Sequence, residues 1–293
     1  MRRRPEGGPA QPPEHRALKR RLGTAMEIAQ EAGQLALRLR TRGLGPAVVK
    51  GRHDVATAAD LAVEALIRER LASAFAGDTV LGEESGGRPS ASLWVIDPID
   101  GTANYAHGGD DWCISIAHVS GGRADVGVVY APAQQRMHAA CLGGGATCDG
   151  VRLTMPTDVV ADQALIEIDW GIELGRQALG CILDGTLEAG LDFRRSGSCA
   201  LGLANVAAGR IDGYVEAFTR PWDALAGCVL VREAGGMTSD FESGLFEAMG
   251  NPISAGVRSL FPTLRAIASA AHAERTPPEA AVGDVARVHG LAG

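Results

Sequence analysis

Features that mark several other classes of protein are missing from this chain of 293 residues. No apolar run reaches the ~18 residues that a membrane-spanning helix needs. No hydrophobic segment follows Met1–Arg4, as a secretory signal would require. The six cysteines form no CxxC pair and no zinc-binding spacing. Because they are scattered singly in apolar surroundings, we expect small buried residues in the reducing cytoplasm.

A basic surface is missing as well. The net charge is −7 and no contiguous basic face is visible, which argues against a surface that binds nucleic acid. The hydrophobic content of 46% and the charged content of 22% are typical of a soluble globular protein. We therefore expect a cytoplasmic globular protein with neither a membrane nor a nucleic acid as its partner.

Apolar periodicity and turn residues predict four segments. We expect a disordered Pro/Gly-rich arm over residues 1–15, an N-terminal α+β part over 16–155, a C-terminal α/β part over 156–273, and a loose tail over 274–293. In the N-terminal part, helices from Arg16 to about Arg42 and from Leu61 to Ala74 flank a loop at residues 50–54. A mainly antiparallel sheet follows over residues 80–155, which indicates a layered α+β fold.

The segment Leu93–Asn104 concentrates the chemistry. Four apolar residues, Leu93–Ile96, predict a strand buried on both faces, and Asp97-Pro98 is expected to end it. A second aspartate, Asp100, comes three residues later and precedes a Gly101-Thr102 turn. Two carboxylates at a strand end are suited to holding a hard divalent cation against a phosphate.

Two further acidic residues are candidates to join this pair. Glu83 ends the short predicted strand Thr79–Leu81, and Asp223 lies where a predicted helix opens. Carboxylates ~4 Å apart repel by about 4 kcal/mol at a surface-like dielectric, and no lysine or arginine adjoins the four in sequence. Magnesium relieves such repulsion, and the lack of Cys or His argues against zinc. From the residues alone, metal-dependent phosphoryl chemistry and structural Asp-Pro turns remain equally open.

Three acidic motifs, in this order along the chain, resemble the inositol monophosphatase family of magnesium-dependent, lithium-sensitive phosphatases. They are Gly82-Glu83-Glu84-Ser85, Asp97-Pro98-Ile99-Asp100-Gly101-Thr102 and Trp222-Asp223-Ala224-Leu225-Ala226-Gly227. The Asp54…Asp60 segment, Gly197-Ser198-Cys199, Ala207–Tyr214 and Ile253–Ala255 follow the family order too. The resemblance implies an α/β (α+β) fold, a layered α/β/α/β/α sandwich of the sugar-phosphatase type, usually assembled as a homodimer.

The resemblance also implies roles for individual residues. Glu83, Asp97 and the Ile99 carbonyl would hold one Mg²⁺, Asp97, Asp100 and Asp223 a second, and Glu83 the waters of a third. Thr102, oriented by Asp60, would help to deprotonate the attacking water, while the N–H groups of Gly101 and Thr102 would bind phosphate. The alcohol part of the substrate would contact Asp100, Gly197, Ser198, Cys199 and Glu216.

Some of these residues also have a simpler interpretation. Asp60 and Thr102 suit the N-caps of helices, Glu83 a solvated loop tip, and Glu216 an exposed position on a strand. Asp110 and Asp111 replace an aromatic-proline segment of the family, which suggests a substrate with an amine or many hydroxyls; a solvated turn is the alternative.

The expected activity is hydrolysis of inositol-1-phosphate or a related cyclitol or sugar monophosphate. Ala103 stands where relatives that resemble histidinol phosphatases tend to carry arginine and nucleotide bisphosphate phosphatases lysine. Histidinol phosphate, fructose 1,6-bisphosphate and nucleotide 3'(2'),5'-bisphosphates remain alternative substrates. A scaffold that binds the transcription machinery is the alternative from another class.

Overall fold

The computed structural model describes residues 13–43, 48–51, 54–56, 58–169 and 174–274. Eight α-helices lie within these described residues. The helices are α1 (Pro13–Thr41), α2 (Ala58–Ala74), α3 (Thr102–Ala106), α4 (Gly175–Glu188), α5 (Cys199–Ala207), α6 (Pro221–Glu233), α7 (Leu245–Ala248) and α8 (Phe261–Ala273). No helix in this described part of the chain combines the length and the apolar character needed to cross a membrane.

The predicted antiparallel sheet is present and has seven strands in sequential order. Only its first pair, β3 and β4, is parallel. The pair Asp149-Gly150, a sequence typical of a tight hairpin, closes the sheet, with φ angles of 51° and 80° that suit a type I′ turn. The strands are β3 (Thr79–Gly82), β4 (Ser92–Asp100), β5 (Cys113–Ser120), β6 (Arg123–Ala131), β7 (Arg136–Cys141), β8 (Gly145–Cys148) and β9 (Val151–Arg152).

A second sheet contains five strands in the order β11-β10-β12-β14-β13. Its strand β10 is parallel to both neighbours, whereas β12 and β14 are antiparallel. The strands are β10 (Leu165–Asp169), β11 (Asp192–Arg194), β12 (Gly213–Thr219), β13 (Met237–Thr238) and β14 (Asn251–Gly256); a separate antiparallel pair is formed by β1 (Val48–Gly51) and β2 (Asp54–Ala56).

The chain forms the layered α/β/α/β/α sandwich that was expected. Helices α1 and α2 pack on one face of the seven-stranded sheet, α5 and α6 lie between the two sheets, and α4 and α8 cover the far face of the five-stranded sheet. Alternate residues of β4 enter different clusters, with Trp94 and Ile96 facing α1 and α2 while Leu93 and Val95 join the central core. The strand is therefore buried on both faces, as its apolar run predicts.

The prediction that this strand ends at Asp97 is wrong. Strand β4 continues to Asp100, and its pairing with β5 shifts between Asp97, which faces Ser115, and Asp100, which faces Cys113. Such a bulge accommodates Pro98, which has no N–H to give to the ladder. The two aspartates thus lie on a bulged strand rather than in a loop.

Several predicted boundaries are also wrong. Helix α1 begins at Pro13, inside the predicted arm, because proline is well suited to the first turn. Helix α2 begins at Ala58 rather than Leu61, since Ala58 and Ala59 favour helix. The predicted loop at 50–54 is partly strand, shared between β1 and β2. Residues 1–12 of the arm and 275–293 of the tail lie outside the described residues.

The six cysteines are free thiols, and all of them lie in the described part of the chain. Four are buried as expected, but Cys148 and Cys181 are only half-buried. Both occupy surface-facing positions, on the final hairpin and on the outer helix α4, where no further layer covers them.

Candidate active site

The bulge of β4 places its two aspartates beside each other in the interior. Asp97 is 2% exposed and Asp100 is 8% exposed, and Asp97 Oδ1 accepts a 2.8 Å hydrogen bond from the Ile99 N–H. The Asp100 Oδ2 atom accepts hydrogen bonds from the Ser198 hydroxyl at 2.6 Å and from the Ala200 N–H at 2.7 Å. Both side chains are therefore held in fixed orientations by the surrounding backbone and helix α5.

Asp223 comes from the other half of the chain and completes an acidic group. It lies in the first turn of α6, where Pro221 begins the helix, and its Oδ2 accepts from the Thr219 hydroxyl and the Arg220 N–H at 3.2 and 3.3 Å. One carboxylate oxygen from each of Asp97, Asp100 and Asp223 lies within 4.8 Å of the others. The structure thus brings together three of the predicted metal ligands.

These aspartates face a cavity of about 180 Å³ between the seven-stranded sheet and the start of α5 and α6. Most of the residues predicted for the site line it, together with two that were not predicted. The lining residues are Glu83, Asp97, Ile99, Asp100, Gly101, Thr102, Asp169, Gly197, Cys199, Glu216, Thr219 and Asp223.

Burial destabilises the charged forms of the three aspartates, and repulsion between them adds to this effect at Asp97 and Asp100. Burial raises the pKa of Asp97 well above its usual value, and the negative charges of Glu83, Asp100 and Asp223 raise it further. Burial and the charge of Asp223 raise the pKa of Asp100 to about 7. Burial raises the pKa of Asp223 to about 6, although its hydrogen bonds and the charge of Arg220 act in the opposite direction.

A divalent cation relieves the same repulsion, and the donor set suits a hard one. Five of the residues that line the cavity carry carboxylates besides Glu83, and carboxylates are ligands that Mg²⁺ prefers. The predicted ligands Asp97, Asp100 and Asp223 include no Cys or His, so the chemistry of the group disfavours zinc. The residues present therefore fit magnesium.

Glu83 follows β3 at the edge of the cavity. Its N–H donates a 3.3 Å hydrogen bond to the Ile96 carbonyl of β4, so its backbone is tied beside Asp97. The side chain is half-buried and lines the cavity, which contradicts a fully solvated loop tip. It lies outside the tight group of three aspartates, but its charge acts on Asp97.

Thr102 and Asp60 form a pair at the floor of the site. The Thr102 hydroxyl lies 3.2 Å from Asp60 Oδ1 and 2.9 Å from the Ile99 carbonyl, both of which only accept. Asp60 is fully buried within the first turn of α2. Neither residue is an N-cap, because Gly101 precedes Thr102 at that position and α2 begins two residues before Asp60. The capping alternatives are wrong.

Gly101 links the bulge to α3 in a conformation that favours glycine. Its φ of 91° lies in the left-handed region, and a Cβ there would lie 2.7 Å from the Asp111 carbonyl and 3.3 Å from Ser198 Cβ. A side chain at this position would therefore force apart the three segments that meet at the site.

Two acidic residues form the outer wall of the cavity. Glu216 lies on β12, is only 6% exposed and accepts a 2.9 Å hydrogen bond from the Tyr214 hydroxyl, so the alternative of an exposed strand acid is wrong. Asp169 ends the neighbouring parallel strand and pairs with Glu216 in register. Burial and the nearby charge of Asp169 raise the pKa of Glu216 well above its usual value.

The three residues of the predicted Gly197-Ser198-Cys199 turn do not all face the cavity. Gly197 and Cys199 line the cavity, whereas Ser198 is 1% exposed, caps α5 and donates to Asp100 from behind. Asn104 fixes the turn from the opposite side, because its Nδ2 donates to the carbonyls of Ser196 and Asp111 at 2.8 and 2.7 Å.

The carboxylates of Asp110 and Asp111 interact with residues that do not line the cavity. Asp110 lies 4.0 Å from the Arg40 guanidinium, and Asp111 accepts a 3.1 Å hydrogen bond from Gln134. The Asp111 carbonyl accepts the Asn104 hydrogen bond beside the site, and neither aspartate is among the residues that line the cavity.

Three residues near the site were not predicted from the sequence: Asp169, Thr219 and Glu64. Glu64 is buried on α2, and its carboxylate accepts hydrogen bonds from the N–H groups of Glu84 and Ser85 at 2.8 and 2.9 Å. Asp169 carried a usable signal, since it directly follows the segment Ala164–Ile168, whose composition is typical of a strand. Glu64 carried none, because one acid on a helix with other charged residues is usually exposed.

Comparison with known proteins agrees with this geometry. A model of the inositol monophosphatase family matches residues 17–280. The protein named Nus factor SuhB of Escherichia coli K12 is 40% identical over 229 residues, which cover 76% of this chain and 86% of that one.

Two solved structures are similar over most of both chains. An IMPase of Thermotoga maritima superposes on this chain with a TM-score of 0.77 at 28% identity. The superposed region covers 88% of this chain and 100% of that one. SaIMPase-II, in a structure with inositol monophosphate bound, gives a TM-score of 0.72 at 28% identity over 86% of this chain and 96% of its own. The match to the family model, which extends over both sheets and all three aspartates, shows that this chain belongs to the inositol monophosphatase family.

Proposed function

We propose that this protein is a Mg²⁺-dependent phosphomonoesterase that hydrolyses inositol-1-phosphate or a related cyclitol or sugar monophosphate. The observation that carries the proposal is the group of three aspartates within 4.8 Å, in a polar cavity that Thr102 and Glu216 also line. Family membership supports a phosphatase activity, and the binding of inositol monophosphate by SaIMPase-II supports this class of substrate.

In this proposal, Glu83, Asp97, the Ile99 carbonyl, Asp100 and Asp223 would hold two or three Mg²⁺ ions. Bound Mg²⁺ would lower the pKa of the attacking water and stabilise negative charge on the departing ester oxygen. The protein supplies the fixed carboxylates, and the hydrogen bonds of Asp97 to Ile99 and of Asp100 to Ser198 keep them from reorienting.

Thr102 and Asp60 would handle the proton of the attacking water. Threonine is a poor base by itself, so the water can donate to Thr102 Oγ1 only as the hydroxyl proton moves toward an acceptor. Asp60 Oδ1, at 3.2 Å and fully buried, is such an acceptor. The N–H groups of Gly101 and Thr102, which open α3 beside the cavity, would bind phosphate oxygens.

The outer wall would bind the alcohol part of the substrate. Glu216 and Asp169 offer acceptors for hydroxyl groups, and Gly197 and Cys199 leave room between them and the aspartates. A ring with several hydroxyls suits two neighbouring carboxylates, and Arg195, whose Nε lies 3.2 Å from Asp169 Oδ1, adds a hydrogen-bond donor at this wall.

A panel of substrates tests the proposal. Purified protein is assayed for phosphate release from inositol-1-phosphate, histidinol phosphate, fructose 1,6-bisphosphate and a nucleotide 3',5'-bisphosphate, with Mg²⁺ and with EDTA. We expect the highest kcat/KM for inositol-1-phosphate, no turnover in EDTA, and inhibition by millimolar-range lithium. Full turnover in EDTA, or a preference for a bisphosphate, would contradict the proposal. The implied homodimer is tested on the same preparation by light scattering.

A second role, in binding the transcription machinery, is supported by the similarity to proteins named Nus factor SuhB. Nothing in such a role needs the aspartates of the cavity. We therefore expect a catalytically inactive Asp97→Asn protein to bind purified RNA polymerase and its associated factors as the wild type does. Failure of the wild type to bind any of them in a size-exclusion experiment would rule this role out.

A further inference from the structure

One face of helix α2 carries three charged side chains directed at the site. Asp60, Glu64 and Arg68 are spaced four residues apart and therefore follow one another along the same face. Asp60 reaches Thr102, as described above. Glu64 and Arg68 reach the loop of residues 82–87, which carries Glu83. A single rigid helix thus contacts both the water-activating pair and the segment that bears a predicted metal ligand.

Glu64 is buried and uses both of its carboxylate oxygens. It is 1% exposed, its Oε2 accepts the Glu84 N–H at 2.8 Å, and its Oε1 accepts the Ser85 N–H at 2.9 Å. These two N–H groups belong to the residues immediately after Glu83. The carboxylate therefore fixes the backbone on one side of Glu83, while the hydrogen bond to the Ile96 carbonyl fixes it at Glu83 itself.

Arg68 completes the arrangement from the same helix face. Its Nε donates to Glu64 Oε1 at 2.8 Å, and its other nitrogens donate to the carbonyls of Val80, at 3.2 Å, and Gly86. Arg68 therefore joins the strand before the loop to the end of the loop. The ion pair is locally neutral, so it anchors the loop without adding net negative charge beside the aspartates.

The loop leaves room for this pair only because residue 82 is glycine. A Cβ on Gly82 would lie 2.6 Å from Glu64 Oε2 and 2.8 Å from Arg68 Nη2. Its backbone conformation is accessible to alanine, so the constraint at this position is the close approach of the two side chains. A substitution of Gly82 by alanine would therefore displace the side chains of Glu64 and Arg68 by a change in the loop.

We propose that Glu64 and Arg68 are positioning residues that hold Glu83 at the cavity and thereby set the affinity of the site for magnesium. The inference rests on the proposed function, because it concerns the ion that Glu83 would hold. Asp60 and Thr102 are positioned by separate contacts. The loss of the Glu64 contacts therefore weakens metal binding more than it slows the chemical step at saturating metal.

Glu64→Gln is the main test. Glutamine has one acceptor oxygen in place of two and turns an NH₂ group toward existing donors, so at least one loop hydrogen bond is lost. A hydrogen bond to a charged group contributes enough that we expect at least about tenfold weaker Mg²⁺ binding by isothermal titration calorimetry. The Mg²⁺ concentration for half-maximal phosphate release should rise by the same factor, with kcat at saturating Mg²⁺ within about threefold of wild type.

The matched control is Glu69→Gln, which makes the same change at an exposed position of the same helix. It should bind Mg²⁺ like the wild type. Gly82→Ala should reproduce the weaker binding with both charges of the ion pair intact, and it provides the same readout if Glu64→Gln fails to fold.

The results distinguish failure of this inference from failure of the proposed function. Wild-type Mg²⁺ affinity in both Glu64→Gln and Gly82→Ala, even with a lowered melting temperature or kcat, would overturn this inference alone. A wild-type protein that binds no Mg²⁺ would overturn the proposed function and this inference with it.

Discussion

The Ser198 hydroxyl donates a 2.6 Å hydrogen bond to Asp100 Oδ2, across 98 residues of sequence. The same oxygen accepts the Ala200 N–H at 2.7 Å, so the start of helix α5 orients a carboxylate that belongs to the seven-stranded sheet. The family resemblance predicts that Ser198 contacts the substrate. Its hydrogen bond also makes it a support for an aspartate of the acidic group.

Ser198→Ala tests this support. The change removes a hydrogen bond to a charged group, which contributes about 1.5–3 kcal/mol, so kcat/KM should fall by roughly tenfold or more. The loss should appear with every accepted substrate, because it acts through Asp100. The control is Ser243→Ala on the exposed surface, for which we expect wild-type kinetics. A loss confined to one substrate would instead support a direct contact with the alcohol.

Asp97→Asn should abolish phosphate release and stabilise the metal-free protein. Burial and the charges of Glu83, Asp100 and Asp223 raise the pKa of Asp97, so its ionised form is costly without a cation. Thermal unfolding in EDTA at alkaline pH should give a higher Tm for the variant than for the wild type. Addition of Mg²⁺ should raise the Tm of the wild type only, and equal Mg²⁺ shifts would speak against a metal site at Asp97.

Asp60→Asn and Thr102→Ala should lower kcat by about 10²–10⁴ while leaving Mg²⁺ binding intact, as expected of residues that move a proton. Asn at position 60 keeps the shape of Asp60 but accepts a proton poorly. The measurement is kcat at saturating Mg²⁺ together with calorimetric Mg²⁺ affinity. Reduced affinity with normal kcat would show that the pair supports the ions rather than the water.

The ion pair of Glu242 with Arg232, far from the site, predicts a pH-dependent term in stability. Burial alone raises the pKa of Glu242, but the hydrogen bonds of Arg232 at 2.5 and 2.7 Å and its charge lower it overall. A lowered folded-state pKa stabilises the protein above the unfolded value of 4.5, and that contribution is lost as pH falls through the folded value.

Glu242→Gln measures this term directly. The variant should be less stable than the wild type by about 2 kcal/mol at neutral pH, and the difference should shrink as the pH falls below the usual pKa of glutamate. Urea unfolding of both proteins across that range checks it. A difference that is constant with pH would mean that lost packing, and not the charge, is responsible.

Local sequence was sufficient for the elements that have strong local signals. The apolar run of β4 predicted a strand buried on both faces, and Asp149-Gly150 predicted the hairpin, since both depend on neighbouring residues only. The bulge at Pro98 could not be predicted. It depends on β5 continuing to pair with Asp100, which is a contact between strands.

The site was predictable where several residues of a motif cluster and was missed where a residue acts alone. Asp97 and Asp100 stand together, but Asp169 becomes part of the cavity only through the parallel register of β10 with β12. Glu64 is an acid on an apparently ordinary helix, and its burial follows from the approach of the loop that carries Glu83.

Asp223 lies more than a hundred residues after Asp97, on a helix between the two sheets. The acidic group is therefore assembled late during synthesis of the chain. A ribosome that has released the first sheet has released Asp97 and Asp100 but not their third partner. The costly approach of the three negative charges is therefore postponed until α6 packs against the sheet. The complete group of three aspartates consequently exists only after both halves of the protein have folded together.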